Sequence, residues 1–83
     1  MSEQAEQLFG GVPAWLLADY LVDLGGQRSH DWTVAGDGWR ATLAAHPRPP
    51  GAHSVGRVTV TIEGREAKRI MEELRRKAQR GGG

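Results

Sequence analysis

Two hydrophobic periodicities divide this chain. From Pro13 onward, Leu17, Tyr20, Leu21 and Leu24 recur at helical spacing and are joined by Trp15 and Leu16. This predicts an amphipathic helix of about twelve residues. Pro13 suits a first turn, where its missing N–H costs nothing, and Gly25-Gly26 supplies a left-handed stop. The period then changes from 3.6 to 2. Trp32 and Val34 alternate with Thr33 and Ala35, and Trp39, Ala41 and Leu43 alternate with Arg40, Thr42 and Ala44. Asp37-Gly38 between the two runs is a hairpin signal. Parity selects the register. A two-residue loop opposes Val34 to Ala41 and Trp32 to Leu43, so the large residues share one face. A three-residue loop would set Val34 against Arg40. Trp32 and Trp39 are therefore expected to point inward, as core rather than as a stacking platform beside Arg40.

The segment His46 to Gly56 (HPRPPGAHSVG) is too rich in proline and glycine for a central strand and reads as a long loop. Arg57 to Glu63 returns to period 2, with Val58, Val60 and Ile62 on one side and Thr59 and Thr61 on the other. Gly64 breaks the strand. Arg65 to Arg80 carries Ala67, Ile70, Met71, Leu74 and Ala78 on one stripe, with Glu72–Arg76 and Glu73–Lys77 pairs opposite. Residues 1–7 lack periodicity and read as a flexible leader, residues 8–80 as a single α+β domain, and residues 81–83 as a glycine tail. The expected architecture is an α-β-β-β-α two-layer sandwich, an antiparallel three-stranded sheet with both helices on one face.

Composition narrows the function. The 83 residues carry a formal net charge of +1, which argues against a polyanion-coating protein. No run approaches the roughly 18 apolar residues of a membrane span, and no basic segment followed by an apolar run opens the chain. Cysteine is absent. That excludes disulfides and thiolate chemistry and suits the cytoplasm. Charge is uneven: residues 1–31 hold five acids and one base, and residues 65–83 seven bases and three acids. Arg75, Arg76, Lys77 and Arg80 crowd the last helical turns. They either complement the helix dipole and stay solvated, or meet an acidic partner. A nucleic-acid module calls for a stronger basic excess or a motif, so that reading is the weakest.

The candidate contact surfaces are the open sheet face (Thr33, Arg40, Thr42, Thr59 and Thr61), the His46–Gly56 loop, and Arg76, Lys77 and Arg80. His30, His46 and His53 share no metal-ligand spacing. Ser54 beside His53 is a neighbour in sequence, whereas catalytic pairs are recognised by geometry. The GGVP and GDG segments lack the strand-to-helix context of a phosphate loop. The expectation is a binding module with no catalytic residue, metal or cofactor, whose partner is another protein or a second copy. Self-association across a sheet edge would add burial to a small core.

The terminal Gly81-Gly82-Gly83 resembles the end of ubiquitin-like sulfur carriers, whose C-terminal carboxylate is adenylated and thiocarboxylated. Gly82 and Gly83 are the carrier terminus in that alternative. Those carriers open with a β-hairpin and their glycines leave a strand, whereas the pattern here opens with a helix and its glycines leave one. The combination FGGVPAWLLADYLVDLGG, two tryptophans across a hairpin, VGRVTVTIEG and KAQRGGG is similar to a small bacterial domain. That domain is the C-terminal accessory domain of some proteins related to the small, sulfur-carrier subunit of molybdopterin synthase. The resemblance spans residues 8–83 and rests on glycine and tryptophan positions. It implies an α+β accessory module linked to molybdenum cofactor or sulfur-carrier biosynthesis.

Overall fold

The computed structural model describes residues 3–46 and 56–81. Along the chain, β1 (Gln4–Gly10), α1 (Ala14–Asp23), β2 (Gln27–Arg28), β3 (Thr33–Gly36), β4 (Trp39–His46), β5 (Arg57–Glu63) and α2 (Ala67–Gly81) follow in order. The five strands form one antiparallel sheet in the order β1-β5-β4-β3-β2.

The helix expected after Pro13 is α1. Its end is a Schellman turn: the Gly26 N–H donates to the Leu21 carbonyl and the Gly25 N–H to that of Val22, with Gly25 at φ +106°. The hairpin register follows the parity reasoning, Val34 facing Ala41 and Gly36 facing Trp39 across Asp37-Gly38. The strand expected over 57–63 is β5. It alternates buried Val58, Val60 and Ile62 with less buried neighbours, as an interior strand between β1 and β4.

The expected three-stranded sheet is incorrect: among the described residues the sheet has five strands. Two were missed for different reasons. Gln4–Gln7, read as part of a flexible leader, belong to β1, which pairs with β5 along its whole length, Gln4 facing Glu63 through Gly10 facing Arg57. Its inward residues are Ala5, Gln7 and Phe9, and only Phe9 is both large and buried. A strand so weakly apolar is held by its ladder to β5 rather than by its own pattern. The other, β2, is two residues long and too short for any periodicity.

Both helices cover one face. Leu17, Ala18 and Leu21 of α1 and Ala67, Ile70, Met71, Leu74 and Ala78 of α2 join Phe9, Val34, Trp39, Ala41, Leu43, Val58, Val60 and Ile62 in one core. One end of the sheet is tied together around Gly64, just after β5. The Gly64 N–H donates to the Glu3 carbonyl, while the Glu66 N–H, at the start of α2, donates to the Gly38 carbonyl in the hairpin turn. Gly64 sits at φ +121°, and a Cβ there would collide with the Gly38 carbonyl, so only glycine fits.

Trp32 corrects the inward expectation. Its carbonyl accepts the Leu43 N–H, as the register requires, but its φ is +59° and its side chain is 44% exposed. The left-handed turn breaks the alternation that parity assumes. Trp39, by contrast, is buried as expected.

Candidate functional site

The face of the sheet opposite the helices carries the sequence-selected residues. Strand register sorts it into cross-strand rows. Glu6, Thr61, Thr42 and Thr33 form one, Gln4, Glu63, Arg40 and Ala35 a second, and Leu8, Thr59 and Ala44 a third. Arg40 and Thr42 are exposed, and Thr59 and Thr61 partly so. Two of the threonines are already engaged. The Thr61 hydroxyl donates to a Glu6 carboxylate oxygen at 3.3 Å, and Thr59 Oγ1 shares a 2.7 Å hydrogen bond with His46 Nε2. Among the described residues no helix covers this face, which is mostly polar, with threonines on β3, β4 and β5.

Thr33 departs from expectation, being buried although it lies on this face. The chain before it folds back. The Thr33 carbonyl accepts both the Ser29 N–H (2.8 Å) and the Ser29 hydroxyl (3.2 Å). The Ser29 hydroxyl also lies 2.8 Å from an Asp31 carboxylate oxygen. Hydrogen bonds from Ser29, and secondarily Thr33, hold the Asp31 carboxyl below its ordinary range, with nearby Arg40 adding a smaller attraction. Folding favours the charged form. This contribution is therefore present above the ordinary aspartate range and is lost as pH falls through the depressed value. Ser29→Ala is expected to raise the Asp31 pKa, followed by NMR titration of its carboxyl carbon. An unchanged value would show that the hydroxyl does not set it.

Beyond this corner, Arg28 reaches Asp19 of α1 at 3.3 Å and lies 5.7 Å over the Trp32 ring. Trp15 and Leu8 are also exposed, at 56% and 51%. Sequence reasoning did not place Leu8 on the open face, because assigning its parity requires β1 to be recognised as a strand.

The basic helix end is less available than its composition suggests. Arg76 is paired on its own helix, with Glu72 at 3.0 Å and Glu73 at 3.5 Å, so Glu73 meets Arg76 where sequence spacing suggested Lys77. Lys77 is half-buried, and the side chain of Arg80 lies outside the described residues. The structure therefore does not join these cations to the sheet face. Arg75 instead borders an open groove of about 430 Å³ between α2 and the Gln7–Val12 stretch. His53, Ser54 and most of the His46–Gly56 loop lie outside the described residues, as do Gly82 and Gly83, while Gly81 ends α2. No group of three or more histidine, aspartate or glutamate side chains able to hold a metal is found among the described residues.

The family model described as "Archaeal MoaD-like protein" matches residues 5–83 of this chain. No curated protein matches it.

Proposed function

The chain belongs to the archaeal MoaD-like family, and from that premise we propose that it is a non-enzymatic accessory module that binds a protein partner beside a sulfur carrier of molybdenum cofactor synthesis in the cytoplasm. The observation that carries this reading is the open sheet face. Arg40 and Thr42 stand exposed on β4, which is paired with β3 on one side and β5 on the other, and Arg40 is near the Asp31 carboxylate that Ser29 hydrogen-bonds. A cation and hydroxyls displayed on a backbone held by ladders on both sides suit recognition of a complementary polar surface. No helix of the described residues is long and apolar enough to cross a membrane.

The second reading is a carrier modified at its C-terminal glycines. The family favours it, whereas the helical state of Gly81 opposes it, since an activating enzyme needs an extended glycine tail. Incubation with an activating enzyme and ATP, followed by intact mass, separates the two. An accessory module keeps its mass, and a C-terminal adenylate, formed with release of pyrophosphate from ATP, would establish the carrier. For the accessory reading, titration with a sulfur carrier is expected to perturb the amide resonances of Arg40, Thr42, Thr59 and Thr61. Arg40→Glu is expected to weaken that binding about tenfold, equivalent to about 1.4 kcal/mol. Perturbations confined to the helical face would overturn the assignment of the surface.

A further inference from the structure

The two edges of the sheet are unlike. The β2 edge is two residues long and ends in Arg28, the short, charged kind that resists further pairing. The β1 edge is seven residues long, contains no proline and no cation, and has one acid, Glu6. Its ladder to β5 can be phased. The Gly64 N–H donates to the Glu3 carbonyl at 2.9 Å, and Glu3 stands opposite Gly64 in the register that sets Gln4 against Glu63. Hydrogen-bonded pairs in an antiparallel ladder alternate. Ala5, Gln7 and Phe9 therefore spend their backbone groups on β5, while Gln4, Glu6, Leu8 and Gly10 point theirs away from it. No described strand pairs with that side. A row of unspent donors and acceptors on a long, undefended edge is a template for another strand.

We propose that the partner on this edge is a second copy of the chain, β1 pairing antiparallel with its symmetry mate about a two-fold axis at Gln7. This goes beyond the accessory reading and does not depend on it. In this register Gln4 faces Gly10 and Glu6 faces Leu8 of the other copy, so all outward-pointing groups of both strands are satisfied over the full seven residues. Placing the axis at Glu6 or at Leu8 shortens the overlap to five residues, and the former also sets Glu6 directly against Glu6, which like-charge repulsion disfavours. On the inner face Phe9 of one copy meets Ala5 of the other, so the two cores become continuous.

Charge supports the same register independently. Glu3 has inner-face parity, is exposed, and has no ion-pair partner within 4 Å among the described residues. The ladder stops at Gly10, since Gly11 turns away at φ +80°, and this brings Glu3 of one copy to the Gly11 turn of the other. Gly11 lines the groove bordered by Arg75, which is exposed and likewise unpaired among the described residues. The two-fold makes this complementary contact twice, on the helical side. The resulting ten-stranded sheet leaves both open faces on one side, so dimerisation enlarges the polar surface described above.

Sedimentation equilibrium of the full chain, with amide exchange, tests this. A dimer of about 18 kDa is expected, twice the 9.0 kDa of the chain. The Glu6 and Leu8 amides should gain protection as concentration rises, while those of Gln7 and Phe9 are protected throughout. Leu8→Pro removes an N–H that points to the free edge and not to β5. It is therefore expected to stay folded by circular dichroism and to lower the association constant at least tenfold. Glu3→Arg and Arg75→Glu, each alone, should weaken the dimer severalfold, and together they should restore it whatever the fate of the proline variant. A wild-type chain that stays monomeric at millimolar concentration would overturn the proposal. So would a folded Leu8→Pro protein that still dimerises, or charge reversals without mutual rescue.

Discussion

Leu74→Ala is expected to destabilise the protein by about 2–5 kcal/mol, the range for truncating a fully enclosed leucine. Leu74 has no exposed surface and lies mid-helix on the stripe by which α2 joins the sheet core. Its removal leaves a void with α2 on one side and a sheet braced by hydrogen bonds on the other, so neither wall can collapse easily. A domain of this size has only about 4–12 kcal/mol in hand. The substitution should therefore lower Tm by roughly 10–30 °C. Urea unfolding should show a lower midpoint with an unchanged slope, as loss of stability without a change in exposed surface requires. A loss below about 0.5 kcal/mol would mean that α2 is peripheral.

Trp39→Ala is expected to cost about 3–5 kcal/mol, and Trp32→Ala under about 1 kcal/mol, although the two lie on one hairpin. Trp39 is 6% exposed. Its indole lies where a Cβ on Gly36 or Gly26 would collide with it, so bare backbone forms part of its pocket and no side chain nearby can swing in to fill the gap. Trp32 is 44% exposed and fills no enclosed pocket, with Arg28 lying over its ring. Emission gives a second readout. Trp39 supplies the blue-shifted component and exposed Trp15 and Trp32 the red-shifted one, so Trp39→Ala should shift the folded-state spectrum to the red. Equal costs for the two substitutions, or a spectrum unmoved by losing Trp39, would contradict this packing.

The polar face that forms the candidate site was partly legible beforehand. Arg40, Thr42, Thr59 and Thr61 follow from period-2 alternation, because β4 and β5 are central strands whose inner face is continuously apolar. Thr33 also alternates correctly, yet it is buried, since the Ser29–Asp31 segment returns over it through hydrogen bonds between residues close in sequence but without periodicity. Arg76 shows the reverse. Its exposure was foreseen from helical spacing, and the two glutamates one turn back occupy its guanidinium.

The elements that carry their own signal are readable from the residues alone. These are α1 between Pro13 and Gly25-Gly26, the β3–β4 hairpin about Asp37-Gly38, β5, and the amphipathic α2. In each, burial of one face is written at the element's own period, and the turn residues admit few backbone conformations. The remaining features follow from how the elements meet in space. Among the described residues β1 has one strand neighbour and an inner face of Ala5, Gln7 and Phe9, so its state depends on a ladder to β5, whose partners are 47–59 residues away. Trp32 points outward because the return of the chain through Arg28 and Ser29 imposes a left-handed backbone there. Long-range pairing and local backbone reversal leave no periodic trace, and they determine which groups line the free edge and the open face.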